Sequence, residues 1–299
     1  MQIATLTLVL ALSSIAPVRG ESTPNSTAQS DAFAYDASTD LDLKDQTTKT
    51  SDGVIIRDVD YASYQNRHGR IKAYIVRPDR EGSFAGILFF HWLGEEKSNR
   101  TEFLEEATKL ARDGAVSVLI QGFFPWSEKP VDGPTDRQKV IDQTIEVRRA
   151  FDLLLAQPGV DPKRVGFVGH DYGAMFGAIT SGLEHRAKAC VLMAGLGTFS
   201  DWSLKYWPNT AQKGEAAYRQ ALDSLDPARY VGQAAPASFL YQFATQDKYI
   251  SRQSAESFFA ATSEPKAIKW YDIDHSLSTP AAAKDRLEWL HEQLGLTPR

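Results

Sequence analysis

The amino-acid sequence predicts an α/β fold, a single domain in which about eight mostly parallel strands carry helices on both faces. Short, continuously apolar runs such as Ala85–His91 and Ala115–Ile120 are typical of strands that are covered on both sides. Longer segments with helical periodicity separate these runs, and this alternation favours a parallel sheet. The hydrophobic share of 42% in 299 residues is enough for one large core, and the sequence has no internal repeat and no second linker.

The first predicted elements differ in character from the later ones. Val54–Val59 and Ile71–Pro78 alternate apolar and polar side chains, which predicts two antiparallel strands at the start of the sheet. A helix over Glu102–Asp113 then separates the first two buried strands. The next helix begins at a capping-box pattern at Thr135 and continues until Pro158 stops it.

The second half of the chain continues the alternation after a strand and turn at Arg164–Gly173. The remaining predicted elements are a strand over Lys188–Met193, an insertion over Ser200–Gln233, a strand over Ala237–Ala244, a helix over Arg252–Ala261, a strand over Ala267–Ile273 and a helix over Ala281–Leu294. With two leading strands, this pattern gives the sheet of about eight strands.

The first 45 residues are predicted to precede the folded domain, which covers residues 46–299. The apolar segment Leu6–Pro17 is too short to span a membrane and suits a secretory signal peptide over residues 1–20, with cleavage after Gly20. Residues 21–45 are rich in polar side chains and predict a flexible leader. We therefore expect a secreted or periplasmic protein without a membrane span.

Charge, cysteine content and motifs exclude several classes of protein. A formal charge of -5 without a basic run gives no electrostatic reason to expect nucleic acid as a partner. The single cysteine, Cys190, lies in an apolar run and is expected to be a small buried hydrophobe. The sequence has no glycine-rich phosphate loop, metal motif or nicotinamide fingerprint, so we expect a small-molecule substrate and neither cofactor nor metal. It leaves the oligomeric state open.

The strongest local pattern is the stretch Gly169-His170-Asp171-Tyr172-Gly173, between a buried strand and a helix rich in small residues. Its spacing is that of the Gly-x-Ser-x-Gly nucleophile elbow, in which a sharp turn presents the nucleophile at the top of the sheet. Here Asp171 occupies the position of the serine. The pattern therefore predicts a carboxylate as the reactive group.

Candidate functional residues also follow other predicted strands. Trp92 and Leu93 follow the Ala85–His91 strand, Asp247 follows the strand over Ala237–Ala244, and His275 follows the last strand. Functional groups in parallel sheets collect beyond the carboxyl ends of the strands. We therefore expect these residues to lie beside Asp171.

Together these residues resemble those of the α/β-hydrolase fold, in which nucleophile, acid and histidine follow in this chain order, and the resemblance extends from about Val54 to Leu294. The core is most similar to dienelactone hydrolases in its Ala85–Gly94 strand and loop, its Asp226–Ala228 segment and its Phe243–Asp247 loop. The elbow instead resembles that of haloalkane dehalogenases and epoxide hydrolases, which carry an aspartate nucleophile. The chain departs from the first family, which has cysteine in the elbow, and from the second, which usually has tryptophan where this chain has Tyr172.

The expected chemistry follows from an Asp-His-Asp triad of Asp171, His275 and Asp247. A carboxylate is ionised at neutral pH and attacks directly, and its attack on a carbon that carries a halide or an epoxide oxygen gives an ordinary alkyl ester. His275, oriented by Asp247, would then activate the water that hydrolyses this aspartyl ester. The backbone N–H groups of Tyr172 and of Trp92 or Leu93 would form the oxyanion hole.

The aromatic side chains Trp92, Trp202, Tyr206 and Trp207 are candidates for substrate contact, with packing as the alternative. The insertion over residues 200–233 stands where this fold places its lid, and it is about half the size expected of a dehalogenase or epoxide hydrolase cap. Two other functions stay open. One is a dienelactone hydrolase-like ester or lactone hydrolase in which Asp171 acts as a base on water, and the other is a non-catalytic small-molecule-binding protein.

Overall fold

The computed structural model describes residues 31–94 and 99–298, and its centre is one nine-stranded sheet. The strands are β1 (Lys44–Ser51), β2 (Val54–Ala62), β3 (Arg70–Pro78), β4 (Phe84–Phe90), β5 (Ala115–Ile120), β6 (Val160–His170), β7 (Ala189–Met193), β8 (Ser238–Ala244) and β9 (Lys266–Tyr271). Their order across the sheet is β1-β2-β3-β5-β4-β6-β7-β8-β9. Pairs among β1, β2, β3 and β5 are antiparallel, and every other pair is parallel.

Seven α-helices flank the sheet in the described ranges. They are α1 (Leu104–Arg112), α2 (Gly133–Leu155), α3 (Tyr172–Leu183), α4 (Phe199–Tyr206), α5 (Glu215–Leu222), α6 (Arg252–Ala261) and α7 (Pro280–Leu294). Two neighbouring residues of β6 show that both faces are covered. A Cβ atom at Gly166 would lie 3.0 Å from Leu294 of α7, whereas the ring of Phe167 lies against Gly177 of α3. Because successive side chains of a strand point to opposite faces, α7 and α3 lie on different sides of the sheet.

The predicted α/β fold class is confirmed, with one strand more than expected. The additional strand is β1, whose eight residues are all exposed. It has no apolar side chain to show alternation, and it is held by its antiparallel pairing with β2. Hydrophobic periodicity could not reveal a strand that forms the outer edge of the sheet and buries neither face.

The flexible leader predicted over residues 21–45 is corrected where the structure describes it, from residue 31 onward. The ring of Phe33 is fully buried and lies 5.8 Å from the ring of Tyr230. The hydroxyl of Tyr35 donates a hydrogen bond of 2.7 Å to Asp152 of α2. This part of the chain is therefore packed against the body of the protein, because two aromatic side chains anchor a polar stretch. The predicted signal peptide lies outside the described residues.

The topology brings the predicted functional segments to one edge of the sheet. The parallel strands β4, β6, β8 and β9 end at Phe90, His170, Ala244 and Tyr271, and the candidate residues follow these ends. The segment between β7 and β8 contains α4 and α5, and Trp202 of α4 lies with its ring centroid 5.0 Å from that of Tyr172. The insertion predicted over residues 200–233 thus contributes side chains to the same edge.

A buried ion pair connects α1 to α7. The Nη2 atom of Arg286 lies 2.6 Å from Oε2 of Glu106, and Nη1 of Arg286 donates to Oε1 of Gln242 in β8 at 2.9 Å. The two charged side chains are only 6% and 10% exposed. Since removing one partner leaves the other as an unpaired buried charge, the pair fixes how these two helices pack.

We expect Arg286→Ala to lower the free energy of unfolding by about 3–5 kcal/mol, because the Glu106 carboxylate stays buried without its partner. Urea denaturation measures this change. Lys284→Ala is the matched control, since Lys284 lies on the same helix in an exposed pair with Glu288 and its loss leaves the unfolding midpoint unchanged. Equal midpoints for the two variants would contradict the expectation.

Candidate active site

Asp171 lies on a sharp turn between β6 and α3. Its backbone has φ 59° and ψ -120°, a strained conformation for a residue with a side chain. The turn leaves room only for glycine on either side, because a Cβ atom at Gly173 would lie 2.2 Å from the carbonyl oxygen of Phe90 and one at Gly169 would lie 2.5 Å from that of Gly173. The structure thus has the geometry of a nucleophile elbow, with Asp171 at its tip.

The two carboxylate oxygens of Asp171 have different surroundings. The N–H group of Leu93 donates to Oδ2 at 2.9 Å, and the backbone of Tyr172 lies close enough to lower the pKa of the carboxyl group. Oδ1 has no hydrogen-bond partner among the described residues, although Asp171 is fully buried. One oxygen is therefore held in place, and the other is available for chemistry.

Burial raises the pKa of Asp171 well above its usual value of 3.8. The hydrogen bond from Leu93 opposes this effect, whereas the nearby charge of Glu102 adds to it. A desolvated carboxylate binds a proton more readily than one in water. Asp171 is therefore a stronger base than an ordinary aspartate.

The structure corrects the prediction that the N–H group of Trp92 is available for an oxyanion hole. This group donates to Oε2 of Glu102 at 2.8 Å and is turned away from Asp171. Of the two alternatives in this loop, the N–H group of Leu93 is the one that faces Asp171.

His275 and Asp247 form a buried pair next to the elbow. Nδ1 of His275 lies 2.7 Å from Oδ2 of Asp247, whose other oxygen accepts the N–H groups of Tyr249 and Ile250 at 2.7 and 3.0 Å. In the described part of the chain, Nε2 of His275 has no hydrogen-bond partner. The pair therefore presents an imidazole nitrogen to the site, and the acid behind it fixes the orientation of the ring.

Burial also determines the protonation of this pair. It lowers the pKa of His275 below the usual value of 6.5, and the hydrogen bond that His275 donates to Asp247 compensates only in part. For Asp247 burial works in the opposite direction, but the hydrogen bond and charge of His275 outweigh it, so that the pKa of Asp247 lies below 3.8. At neutral pH the pair consists of a neutral imidazole and a carboxylate.

A cavity of about 550 Å³ opens beside His275. The aromatic residues of its wall are Trp92, Trp202, Tyr206, Trp207 and Tyr249. The first four are the predicted substrate-contacting residues, so the structure brings all of them together. Asp171 does not line this cavity, because it is fully buried.

Three further residues around the site were not expected from the sequence. Glu102 contacts the loop after β4, Tyr249 lines the cavity, and Lys248 lies beside it. Tyr249 and Lys248 immediately follow Asp247, so the predicted acid loop could have pointed to both. Nothing in the sequence distinguished Glu102 from other acidic residues at helix starts.

Other kinds of site find no support in the described residues. Within residues 31–94 and 99–298, no group of three or more His, Cys, Asp or Glu side chains could hold a metal ion. No helix in the same ranges is long and apolar enough to cross a membrane. Cys190 is buried, and its burial raises the pKa of the thiol to about 12.

Neither a protein-family model nor a curated protein matches the sequence, whereas solved structures match the fold. Among solved structures, an acetyl xylan esterase from Paenibacillus sp. R4 has a TM-score of 0.75 at 16% identity, with 93% of this chain and 97% of that chain covered. An acetyl xylan esterase from Thermoanaerobacterium sp. JW/SL YS485 has a TM-score of 0.70 at 14% identity, with coverage of 90% and 93%. A cold-adapted esterase from an Arctic intertidal metagenomic library has a TM-score of 0.58 at 19% identity, with coverage of 83% and 97%.

These similarities, together with the elbow and the sheet order, show that the chain has the α/β-hydrolase fold. The similarity extends over nearly the whole of the acetyl xylan esterase chains. At this level of identity the comparison establishes the fold and not the reaction. The resemblance inferred from the sequence is confirmed to that extent.

We expect Asp247→Asn to lower the pKa of His275 further, because the substitution removes the charge that opposes the effect of burial. An NMR titration of the His275 ring protons measures this shift. Asp272→Asn is the control, since Asp272 lies on the exposed turn after β9 and accepts hydrogen bonds from Thr245 and Gln246. A higher pKa of His275 in Asp247→Asn than in the unchanged protein would contradict the pairing.

Proposed function

We propose that this protein is a hydrolase of small carboxylic esters or lactones in which Asp171 activates the attacking water. Solved structures of the same fold whose names describe esterases support the ester as the substrate class. The observation that carries the proposal is the state of Asp171, whose anchored Oδ2, unpartnered Oδ1 and raised pKa suit a general base. The sequence had left this function open as an alternative to the cleavage of a carbon–halogen or epoxide bond.

In the proposed reaction, a water molecule lies between Oδ1 of Asp171 and Nε2 of His275. Asp171 takes one proton of the water while the water oxygen attacks the carbonyl carbon of the substrate. His275 accepts a hydrogen bond from the second proton and so orients the water, because its own ring is fixed by Asp247. The tetrahedral intermediate then breaks its bond to the alcohol oxygen, which receives the proton from Asp171.

Trp202 is placed to assist this step. Its indole Nε1 is buried and has no hydrogen-bond partner among the described residues. The ring lies between Tyr172 and His275, with centroid distances of 5.0 and 5.7 Å. An unpaired donor in an apolar wall is costly unless a ligand satisfies it, so we assign it to the carbonyl oxygen of the substrate.

Access to Asp171 requires a movement of the covering side chains, since His275 lines the cavity but Asp171 does not, and the carboxylate is fully buried. We therefore propose that residues 200–233 act as a lid, with Trp202 on its inner side. Exposed Tyr206 and Tyr249, 5.7 Å apart by their ring centroids, form the entrance. We also propose that residues 1–20 direct export of the protein. The substrate in this proposal is a small molecule.

A second candidate function is cleavage of a carbon–halogen or epoxide bond through an aspartyl ester. One observation favours it: the N–H group of Leu93 already bonds Oδ2 of Asp171 itself. When water attacks Cγ of an aspartyl ester, that oxygen becomes the oxyanion, and its donor is then in place. The free Oδ1 would be the attacking atom.

We expect Asp171→Asn to reduce kcat for nitrophenyl esters by a factor on the order of 10²–10⁴, because the amide cannot take the proton of the water. Steady-state kinetics on a panel of short esters and lactones measures the loss. Asp79→Asn, on the exposed turn after β3, is the matched control and keeps full activity. Unchanged ester hydrolysis in Asp171→Asn would refute the role of Asp171, and a ligand that stabilises the protein without turnover would favour the binding protein instead.

The second candidate has a separate test in His275→Ala. If an aspartyl ester forms, this variant cannot hydrolyse it, and incubation with haloalkanoates or styrene-type epoxides leaves an adduct on Asp171. Intact-mass measurement and peptide mapping detect such an adduct. The proposed ester hydrolase predicts an unmodified protein with every member of this panel.

A further inference from the structure

Glu102 lies in the loop before α1, outside the residues that touch the cavity beside His275. Its carboxylate nevertheless joins two segments of the site. Oε2 accepts the N–H group of Trp92 at 2.8 Å, and Oε1 lies 2.7 Å from Nδ1 of His170. The side chain is largely buried, with 17% exposure.

His170 extends this connection to a third segment. The ring is fully buried, and its Nε2 lies 3.0 Å from the backbone carbonyl oxygen of His275. A carbonyl oxygen only accepts hydrogen bonds, so Nε2 carries a proton and donates it. Nδ1 of the same ring lies 2.7 Å from Oε1 of Glu102, so the two side chains form a largely buried hydrogen-bonded pair.

The loop after β4 is fixed through both backbone polar groups of Trp92. The N–H group of Trp92 is bound by Glu102, and its carbonyl oxygen accepts Nδ1 of His91 and Nε1 of Trp126, each at 2.9 Å. The next N–H group along the chain, that of Leu93, points to Oδ2 of Asp171. The orientation of this donor is therefore set by groups that never touch Asp171.

We propose that Glu102 and His170 are positioning residues that align the Leu93 donor and the loop of His275 with Asp171. The inference rests on the proposed function of Asp171 for its kinetic consequence, while the alignment itself is a property of the folded protein. Trp92 supports the pair, since its ring stacks on that of His170 at 5.2 Å with an interplanar angle of 7°. The Glu102 carboxylate thus links the loop after β4 to the end of β6, and His170 extends this link to the segment after β9.

Glu102→Gln tests the pair with little change of shape. A glutamine side chain places its accepting oxygen at one carboxylate position and its donating nitrogen at the other, so it replaces one of the two acceptors that face Trp92 and His170. Glu105→Gln is the matched control, because Glu105 is one turn away in α1, is exposed and pairs with Lys109. A purely structural role predicts equal kinetics for the two variants once both are folded.

For Glu102→Gln we expect kcat on esters to fall by a factor on the order of 10² with KM changed less than about 2-fold, because the misaligned donor affects the reaction more than binding. Glu105→Gln keeps both values. Should Glu102→Gln not fold, His170→Gln replaces it, since it retains a donor for His275 and loses the link to Glu102, and the same fall is expected. A kcat of Glu102→Gln equal to that of Glu105→Gln would overturn the proposal.

NMR separates this proposal from the proposed function. The amide proton of Leu93 and the ring nitrogens of His170 report the alignment without any turnover. We expect both sets of resonances to move in Glu102→Gln and to stay in place in Glu105→Gln, even if no ester is hydrolysed. Unmoved resonances would overturn the positioning role, whereas moved resonances without hydrolysis in the unchanged protein would support it and refute the ester hydrolase.

Discussion

The hydrogen bond from the Leu93 N–H group to Oδ2 of Asp171 holds a fully buried carboxylate at the tip of a strained turn. Much of the surrounding structure serves this contact. The glycines on either side allow the turn, and the loop after β4 brings the donor to it. Burial disfavours the ionised form of Asp171, and few donors offset this effect. The carboxylate is therefore a stronger base than one in water. A serine at this position would depend on the histidine for activation, whereas the carboxylate of Asp171 does not.

The two candidate reactions rest on different observations. The structural similarity extends over the acetyl xylan esterase chains almost completely, whereas a carboxylate at the elbow resembles enzymes that cleave bonds to saturated carbon. A base on water reconciles the two, because it needs no anhydride with the acyl group of an ester. The same geometry also supports the aspartyl-ester route through the donor on Oδ2. Which atom receives the oxygen of water is therefore the decisive difference.

The sequence predicted the parts of the site that follow from strand order and spacing. Asp171, Asp247 and His275 come after the parallel strands β6, β8 and β9, and apolar runs in the sequence mark such strands. The outer strand β1 could not be predicted because its side chains are all polar and exposed. The burial of Phe33 could not be predicted because the residue lies in a polar stretch of the sequence. Glu102 and the direction of the Trp92 peptide could not be predicted, since they depend on side chains far apart in the chain that meet only in the folded protein.

Hydrolysis of an ester in water labelled with ¹⁸O tests the role of Asp171 most directly. With Asp171 as a base, the labelled oxygen bonds to the acyl carbon, so the released acid carries ¹⁸O and the peptide that contains Asp171 does not. An aspartyl ester or anhydride is instead hydrolysed by attack at Cγ, which transfers the label to the protein. Mass spectrometry of the acid and of that peptide after many turnovers distinguishes the two. Label in the carboxylate of Asp171 would contradict the account.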